Sequence, residues 1–131
     1  MRKSEILLLV VSFLVLSACS GNSPKSVAKK FNKAIYTADF QTAKSLCTDN
    51  TKQAVDFVAA FASQKTEKMK KADIRYEITE TKISDDEKSA DVKAIITGSI
   101  NLSNGEIKDS VISKTHLVKV DDKWLVDYKL K

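Results

Sequence analysis

The chain has 131 residues, 43% hydrophobic, 30% charged and 7% aromatic, with three Gly, one Pro and two Cys. That size suits one domain with a modest core, and the composition excludes collagen, low-complexity disorder and a disulfide-dense scaffold. Two Cys and one His supply neither a Cys-rich zinc site nor a histidine cluster. The formal net charge is +5, from 22 basic and 17 acidic residues, yet Arg2 and Arg75 are the only arginines. Planar, bidentate reading of phosphates and base edges favours arginine, so a sign-mixed lysine surface speaks against a nucleic-acid partner.

Met1-Arg2-Lys3 makes a positive start, and Ile6 to Leu16 is apolar apart from Ser12. A bilayer-spanning helix needs about 20 apolar residues, so this shorter run reads as the core of a secretory signal. Its end, Leu16-Ser17-Ala18-Cys19, resembles the bacterial lipobox. The resemblance implies cleavage between Ala18 and Cys19, a diacylglyceryl thioether on Cys19 and, in many bacteria, an acylated amino group. Each buried methylene is worth about 0.8 kcal/mol, and two or more chains anchor stably where one does not. The alternatives are a true membrane helix, or an ordinary secretory signal whose Cys19 pairs with Cys47. Ser20 resembles the outer-membrane sorting signal where a Gram-negative system operates. Residues 20–23 form a polar spacer reaching about 14 Å at most. The chain thus divides into a signal peptide (1–18), a lipidated Cys with a tether (19–23) and one α+β domain (24–131).

Ser23 is an N-cap with Pro24 at the first helical position, and Val27, Phe31, Ala34, Ile35 and Ala38 recur at helical spacing. Asp39 caps a short second helix carrying Phe40, Ala43, Leu46 and Cys47, the last read as a packed, inert thiol. Asp49 or Asn50 opens a longer third helix with the stripe Val55, Val58, Ala59, Ala62 and Met69, widened by Phe57 and Phe61. Lys65, Lys68, Lys70 and Lys71 crowd its last turns; complement to the helix dipole explains them, with attraction to an anionic membrane or partner as the sharper alternative.

From Ile74 the period becomes two, giving strands Ile74–Ile83, Ala90–Ser103, Glu106–Val120 and Lys123–Leu130. Asn104-Gly105 is a strong two-residue hairpin signal, and Asp121-Asp122 reads as the next turn. These turns pair Val92 with Leu117, Ala94 with Thr115 and Ile96 with Ser113, then Leu117 with Val126, Thr115 with Tyr128 and Lys119 with Trp124. The apolar set of each strand lands on one face. Ile74, Tyr76 and Ile78 alternate but Ile83 is out of phase, so a bulge is expected near Glu80. The predicted fold is therefore α+β, three N-terminal helices on a curved four-stranded antiparallel meander.

The same pairing sets His116 on the outer face, opposite Lys93 and Asp127, where a lone histidine is a surface hydrogen-bonding group with no convergent nucleophile. Among the inner-face apolar residues stand Asp109, Ser113, Thr115 and the hydroxyls of Tyr128 and Tyr76, the candidate pocket residues. Local satisfaction, or exposure of Asp109 near the turn, is the alternative. Gly98 permits a bend that curls the sheet. Acidic runs 85–87 and 121–122 lack calcium-loop spacing, and no metal or other cofactor is expected.

The opening helix Val27-Ala28-Lys29-Lys30-Phe31, the segment Asp39-Phe40-Gln41-Thr42-Ala43-Lys44 and the closing Leu117 to Asp127 run resemble the nuclear-transport-factor-2-like superfamily, in particular its small lipoproteins of the lumazine-binding type. Asp122 stands where many relatives have glycine. The resemblance implies a cone-shaped α+β fold with a cavity and, frequently, dimerisation through the sheet. Enzymes such as ketosteroid isomerase and scytalone dehydratase place acid, base or tyrosine groups in that cavity, but their sets do not match residue by residue, and fold alone assigns no chemistry. The leading expectation is a lipid-anchored, non-enzymatic module of the cell envelope (periplasm-facing on the outer membrane if Gram-negative) that takes a small ligand or an envelope protein. A small enzyme using Asp109 with Tyr128, or a purely structural lipoprotein, are the alternatives.

Overall fold

The computed structural model describes residues 22–128. The lipobox with Ala18 and Cys19, and the expected end of the last strand at Leu130, lie outside them. No helix among the described residues is long and apolar enough to cross a membrane.

Helix α1 (Pro24–Tyr36) starts as its sequence dictates, with Ser23 Oγ accepting the Ser26 N–H at 3.2 Å and Pro24 at the first position. Its stripe Val27, Ala28, Phe31 and Ala34 is buried. Helix α2 (Phe40–Ser45) is capped by Asp39, whose carboxylate accepts the Thr42 N–H. The third stretch is two helices, α3 (Asp49–Phe61) and α4 (Thr66–Lys70), giving four helical segments among the described residues where three were expected. The break falls at residues 62–65, where the Thr66 hydroxyl bonds the Ser63 carbonyl; such hydroxyls compete with the helical ladder. Phe57 and Phe61, expected to widen the stripe, are each 65% exposed, whereas Val55, Ala62 and Met69 are buried.

Strands β1 (Arg75–Ile83), β2 (Ser89–Thr97), β3 (Val111–Val120) and β4 (Lys123–Val126) form one antiparallel sheet in chain order. The β1–β2 register shifts between Ile78 and Glu80, the bulge that the phase of Ile83 demanded. The final turn holds Asp121 and Asp122 at φ 50° and 64°, the double left-handed turn that pairs Leu117 with Val126 and Lys119 with Trp124. Tyr128 has left the ladder and does not pair with Thr115; its N–H goes to Thr51 Oγ1 at 2.7 Å.

The middle hairpin differs from expectation. Of Asn104 and Gly105 only Gly105 has positive φ, so no two-residue turn forms. The Asn101 side chain accepts the Ser103 N–H at 2.8 Å, that of Asn104 accepts the Glu106 N–H at 2.9 Å, and the Gly105 N–H reaches Asn101 O at 2.7 Å. These asparagine turns stabilise a longer, four-residue loop. The register slides by two, so Val92 faces Thr115, Ala94 faces Ser113 and Ala90 faces Leu117. An even shift keeps every side chain on its face. Strand β2 stops at Thr97 because Gly98 turns to φ 86°, with the Asp73 carbonyl oxygen standing where a Cβ would lie. Beyond it the hairpin continues irregularly through an Ile100–Ile107 bridge.

The main core joins the α1 stripe to Ala90, Val92, Leu117, Trp124 and Val126, with Cys47 and Val55 at its side. A smaller cluster of Ala38, Ala62 and Met69 lies under Ile100 and Leu102.

Two glycine substitutions have opposite expected signs. Gly98→Ala should destabilise by more than about 2 kcal/mol, through overlap and a strained φ. Asp122→Gly should stabilise by about 0.5–1 kcal/mol, the left-handed relief net of unfolded-chain entropy. Urea midpoints at unchanged m-value measure both.

Candidate functional site

Between α1, α3 and the inner face of β3 lies an open cavity of about 310 Å3, near the lower end of the ~300–1,000 Å3 typical of ligand sites. Phe31, Ile35, Ala54, Val55 and Val58 supply apolar wall, Tyr36 and Tyr128 aromatic wall, and Asn32, Thr51, Ser113 and Lys114 the remainder.

Asn32 organises the polar side. It is 5% exposed on α1, and its Nδ2 donates to the Ala28 carbonyl at 2.8 Å and to Thr115 Oγ1 at 2.9 Å. The Ser113 hydroxyl donates to Asn32 Oδ1 at 3.1 Å. A backbone carbonyl can only accept, so the bond to Ala28 fixes which way the amide points. One side chain therefore satisfies two hydroxyls 81 and 83 residues away. Sequence reading missed Asn32, although its place four residues after Ala28 and three before Ile35 puts it on the buried stripe of α1.

On the other side, the connection between α2 and α3 covers the free edge of β4. Val126 N–H donates to Leu46 O and Thr48 N–H to Val126 O, both at 2.9 Å. Thr48 Oγ1 reaches Asp127 Oδ1 at 2.7 Å, and the fully buried Thr51 bonds the backbone of Tyr128. Tyr128 is thereby held over the cavity, its ring 6.2 Å from that of Phe31 and its hydroxyl donating to Lys114 O at 2.7 Å.

Of the expected pocket residues, the structure brings Ser113, Thr115 and Tyr128 together on the inner side, with Ser113 and Tyr128 lining the cavity. Tyr76 stands beside them on β1: its hydroxyl is buried without a hydrogen-bond partner, and burial raises its pKa, partly opposed by nearby Asn32 and Thr115. Burial likewise raises Tyr36 and Tyr128. Asp109 is corrected: β3 begins at Val111, so Asp109 sits exposed in the segment before it, outside the cavity lining. His116 is on the outer face as expected, but the register slide puts Asp91 rather than Lys93 opposite it, Nδ1 to Oδ1 at 2.8 Å, while on its other side the Asp127 N–H donates to the His116 carbonyl at 2.9 Å. No cluster of three or more His, Cys, Asp or Glu among the described residues is placed to hold a metal. Cys47 is 4% exposed, and burial pushes its thiol from 9.0 up to about 11, with Lys52 and Lys44 pulling the other way.

The family model described as "Domain of unknown function (DUF4878)" matches residues 17–127. None of the curated proteins compared with the chain matches it. Among solved structures, a Campylobacter jejuni protein provisionally described as an NTF2-like transpeptidase aligns at TM-score 0.52 and 24% identity, over 83% of this chain and 99% of that one. A cystatin-like protein of unknown function from Nostoc punctiforme aligns at 0.52 and 11%, over 81% and 89%. A ketosteroid isomerase-like protein from Erwinia carotovora aligns at 0.52 and 18%, over 78% and 86%. These likenesses are of fold.

Asn32→Ala should destabilise the fold by about 1–3 kcal/mol, the cost of orphaning buried hydroxyls, in chemical denaturation. The raised Cys47 value favours the folded state while the thiol is protonated. That contribution is complete below about pH 9 and is lost as pH rises through about 11. At pH 8 a disulfide reagent should accordingly titrate Cys47 far more slowly in the native protein than in denaturant.

Proposed function

The chain belongs to the DUF4878 family and has the cystatin-like, nuclear-transport-factor-2-like fold, and from that premise we propose that it is a lipid-anchored cell-envelope module that binds a small ligand without turning it over. The observation that carries the reading is the cavity. It is open, its wall is mainly apolar and aromatic, and the Asn32 amide and the hydroxyls of Ser113, Thr51 and Tyr128 are bonded to one another or to backbone. Such a lining supports a shaped receptacle rather than a proton-transfer site, which needs a group whose pKa lies near the working pH, whereas burial raises the Tyr36 and Tyr128 phenols further above it.

The lipobox resemblance of Leu16 to Cys19 supports the anchor, and residues 20–23 would hold the domain within about 14 Å of the modified cysteine. Asn22, at the end of that tether, is fixed to the fold: its Oδ1 accepts the Trp124 N–H at 2.8 Å. A short, partly fastened tether would keep the domain at the lipid surface.

Two measurements test this reading. Cys19→Ser should move the protein from membrane to soluble fractions; retention in the membrane would refute the lipid anchor. Mass spectrometry of the protein purified from its own cells should find a small molecule with the native chain and none with Val58→Trp, whose indole fills the cavity. The same molecule retained by a folded Val58→Trp protein would place binding elsewhere.

A further inference from the structure

The part of α3 that turns away from the core has two unlike flanks. At about 3.6 residues per turn, Phe57 and Phe61 share one flank with Asn50, Gln53 and Ala54, none of them charged. Asp49, Lys52 and Asp56 fall on the other flank, where Asp49 meets Lys52 at 3.1 Å and Asp56 meets Lys44 at 2.8 Å. Phe57 and Phe61 are each 65% exposed. Two bare phenylalanines one turn apart on a charge-free strip form a patch that has an occupant.

At the end of that strip two ammoniums converge. Lys65 lies four residues beyond Phe61, past a turn in which its own N–H donates to the Ala62 carbonyl at 2.8 Å. Its Nζ and that of Lys68 stand 3.5 and 3.0 Å from where a Gly105 Cβ would lie. Neither lysine has an ion pair among the described residues, the neighbouring Glu67 and Glu106 included. An anionic surface relieves like charges held together in this way. An aromatic strip ended by lysines is also the pattern of a helix that lies in a lipid interface.

The path of the chain brings such a surface within reach. Asn22 Oδ1 accepts the Trp124 N–H and Leu46 O accepts the Val126 N–H, both along the free edge of β4. These donors are two residues apart on a strand, about 7 Å. The tether therefore leaves the domain beside residues 46–48, which lead into α3. A bilayer holding Cys19, within about 14 Å of the domain, meets the start of α3 next to the tether.

We propose that α3 lies down on the anionic membrane that carries the anchor, with Phe57 and Phe61 entering the interface and Lys65 and Lys68 meeting lipid phosphates. The proposal rests on the anchored reading above and adds a second contact to it. That contact is small and acts because the anchor already holds the domain at the surface, so Cys19→Ser still releases the protein.

The test uses the full lipidated chain in phosphatidylcholine vesicles with and without phosphatidylglycerol, doped with a phospholipid bearing a diazirine in its acyl chain. With phosphatidylglycerol present, the peptide containing Phe57 and Phe61 should be labelled at least fivefold more than the peptide containing Ile112, an equally exposed apolar residue on β3. That excess should fall below twofold when Phe57→Ser and Phe61→Ser are combined. Lys65→Gln with Lys68→Gln should abolish its dependence on phosphatidylglycerol. Equal labelling of the two peptides, or an excess that survives the double serine variant, would overturn the docking. So would crosslinking of this face to a second copy or to another protein in place of lipid. Equal labelling with and without phosphatidylglycerol would overturn the lysine contact. Flotation with the vesicles reads the anchor separately: a native chain that floats without the excess overturns the docking alone, whereas one that fails to float overturns the anchor and the docking with it.

Discussion

A helix that crosses the inner face of a sheet brings its own side chains into a dry space, and any amide among them must find partners there. Asn32 meets that requirement by bonding the carbonyl one turn back and two hydroxyls on β3. The arrangement fixes the rotation of α1 and its position along β3 at once, because a turn of the helix or a slip of the strand would orphan three groups, each at about 1–3 kcal/mol. The apolar contacts of Val27, Phe31 and Ala34 supply most of the stabilising area but are non-directional. The amide supplies the register.

The second fixed point is the edge of β4. A free strand edge invites pairing with other chains, and here residues 46–48 occupy it through Val126 while Thr51 holds Tyr128. Covering the edge also sets the first turn of α3 beside the sheet, and the space between α3, α1 and β3 is the cavity. The opposite edge, β1, is managed differently, with a bulge after Ile78 and charged Glu77, Glu80 and Lys82 exposed along it. One edge is thus used to build a site and the other is blunted.

Much of this was legible in the sequence. Caps at Ser23 and Asp39, the bulge that Ile83 required, and the Asp121-Asp122 turn each follow from local chemistry that the tertiary structure leaves intact. The middle hairpin was misread because asparagine side chains can cap backbone N–H groups of a longer loop as readily as the backbone can adopt a double left-handed turn. The faces survived that error because the slip was even; the partner of His116 did not, because a pair depends on register and not on parity. Asp109 was assigned a face by extending β3 too far, and the ladder had already ended. Asn32 was overlooked because a polar residue within a helix reads as surface unless its angular position is followed. The exposure of Phe57 and Phe61 had no local signal, since an apolar stripe does not announce its own width. The functional picture follows from the same two fixed points, which leave an open chamber with a mainly apolar and aromatic wall.

The central physical claim is that the Asn32 amide is spent inside the protein and is not offered to water or ligand. Hydrogen exchange of the Asn32 side-chain NH2, resolved by nitrogen-15 NMR, addresses it directly. The account predicts protection far beyond that of the exposed Asn50 and Asn104 amides, with exchange limited by opening of the fold. Exchange of Asn32 at the same rate as those surface amides would contradict it.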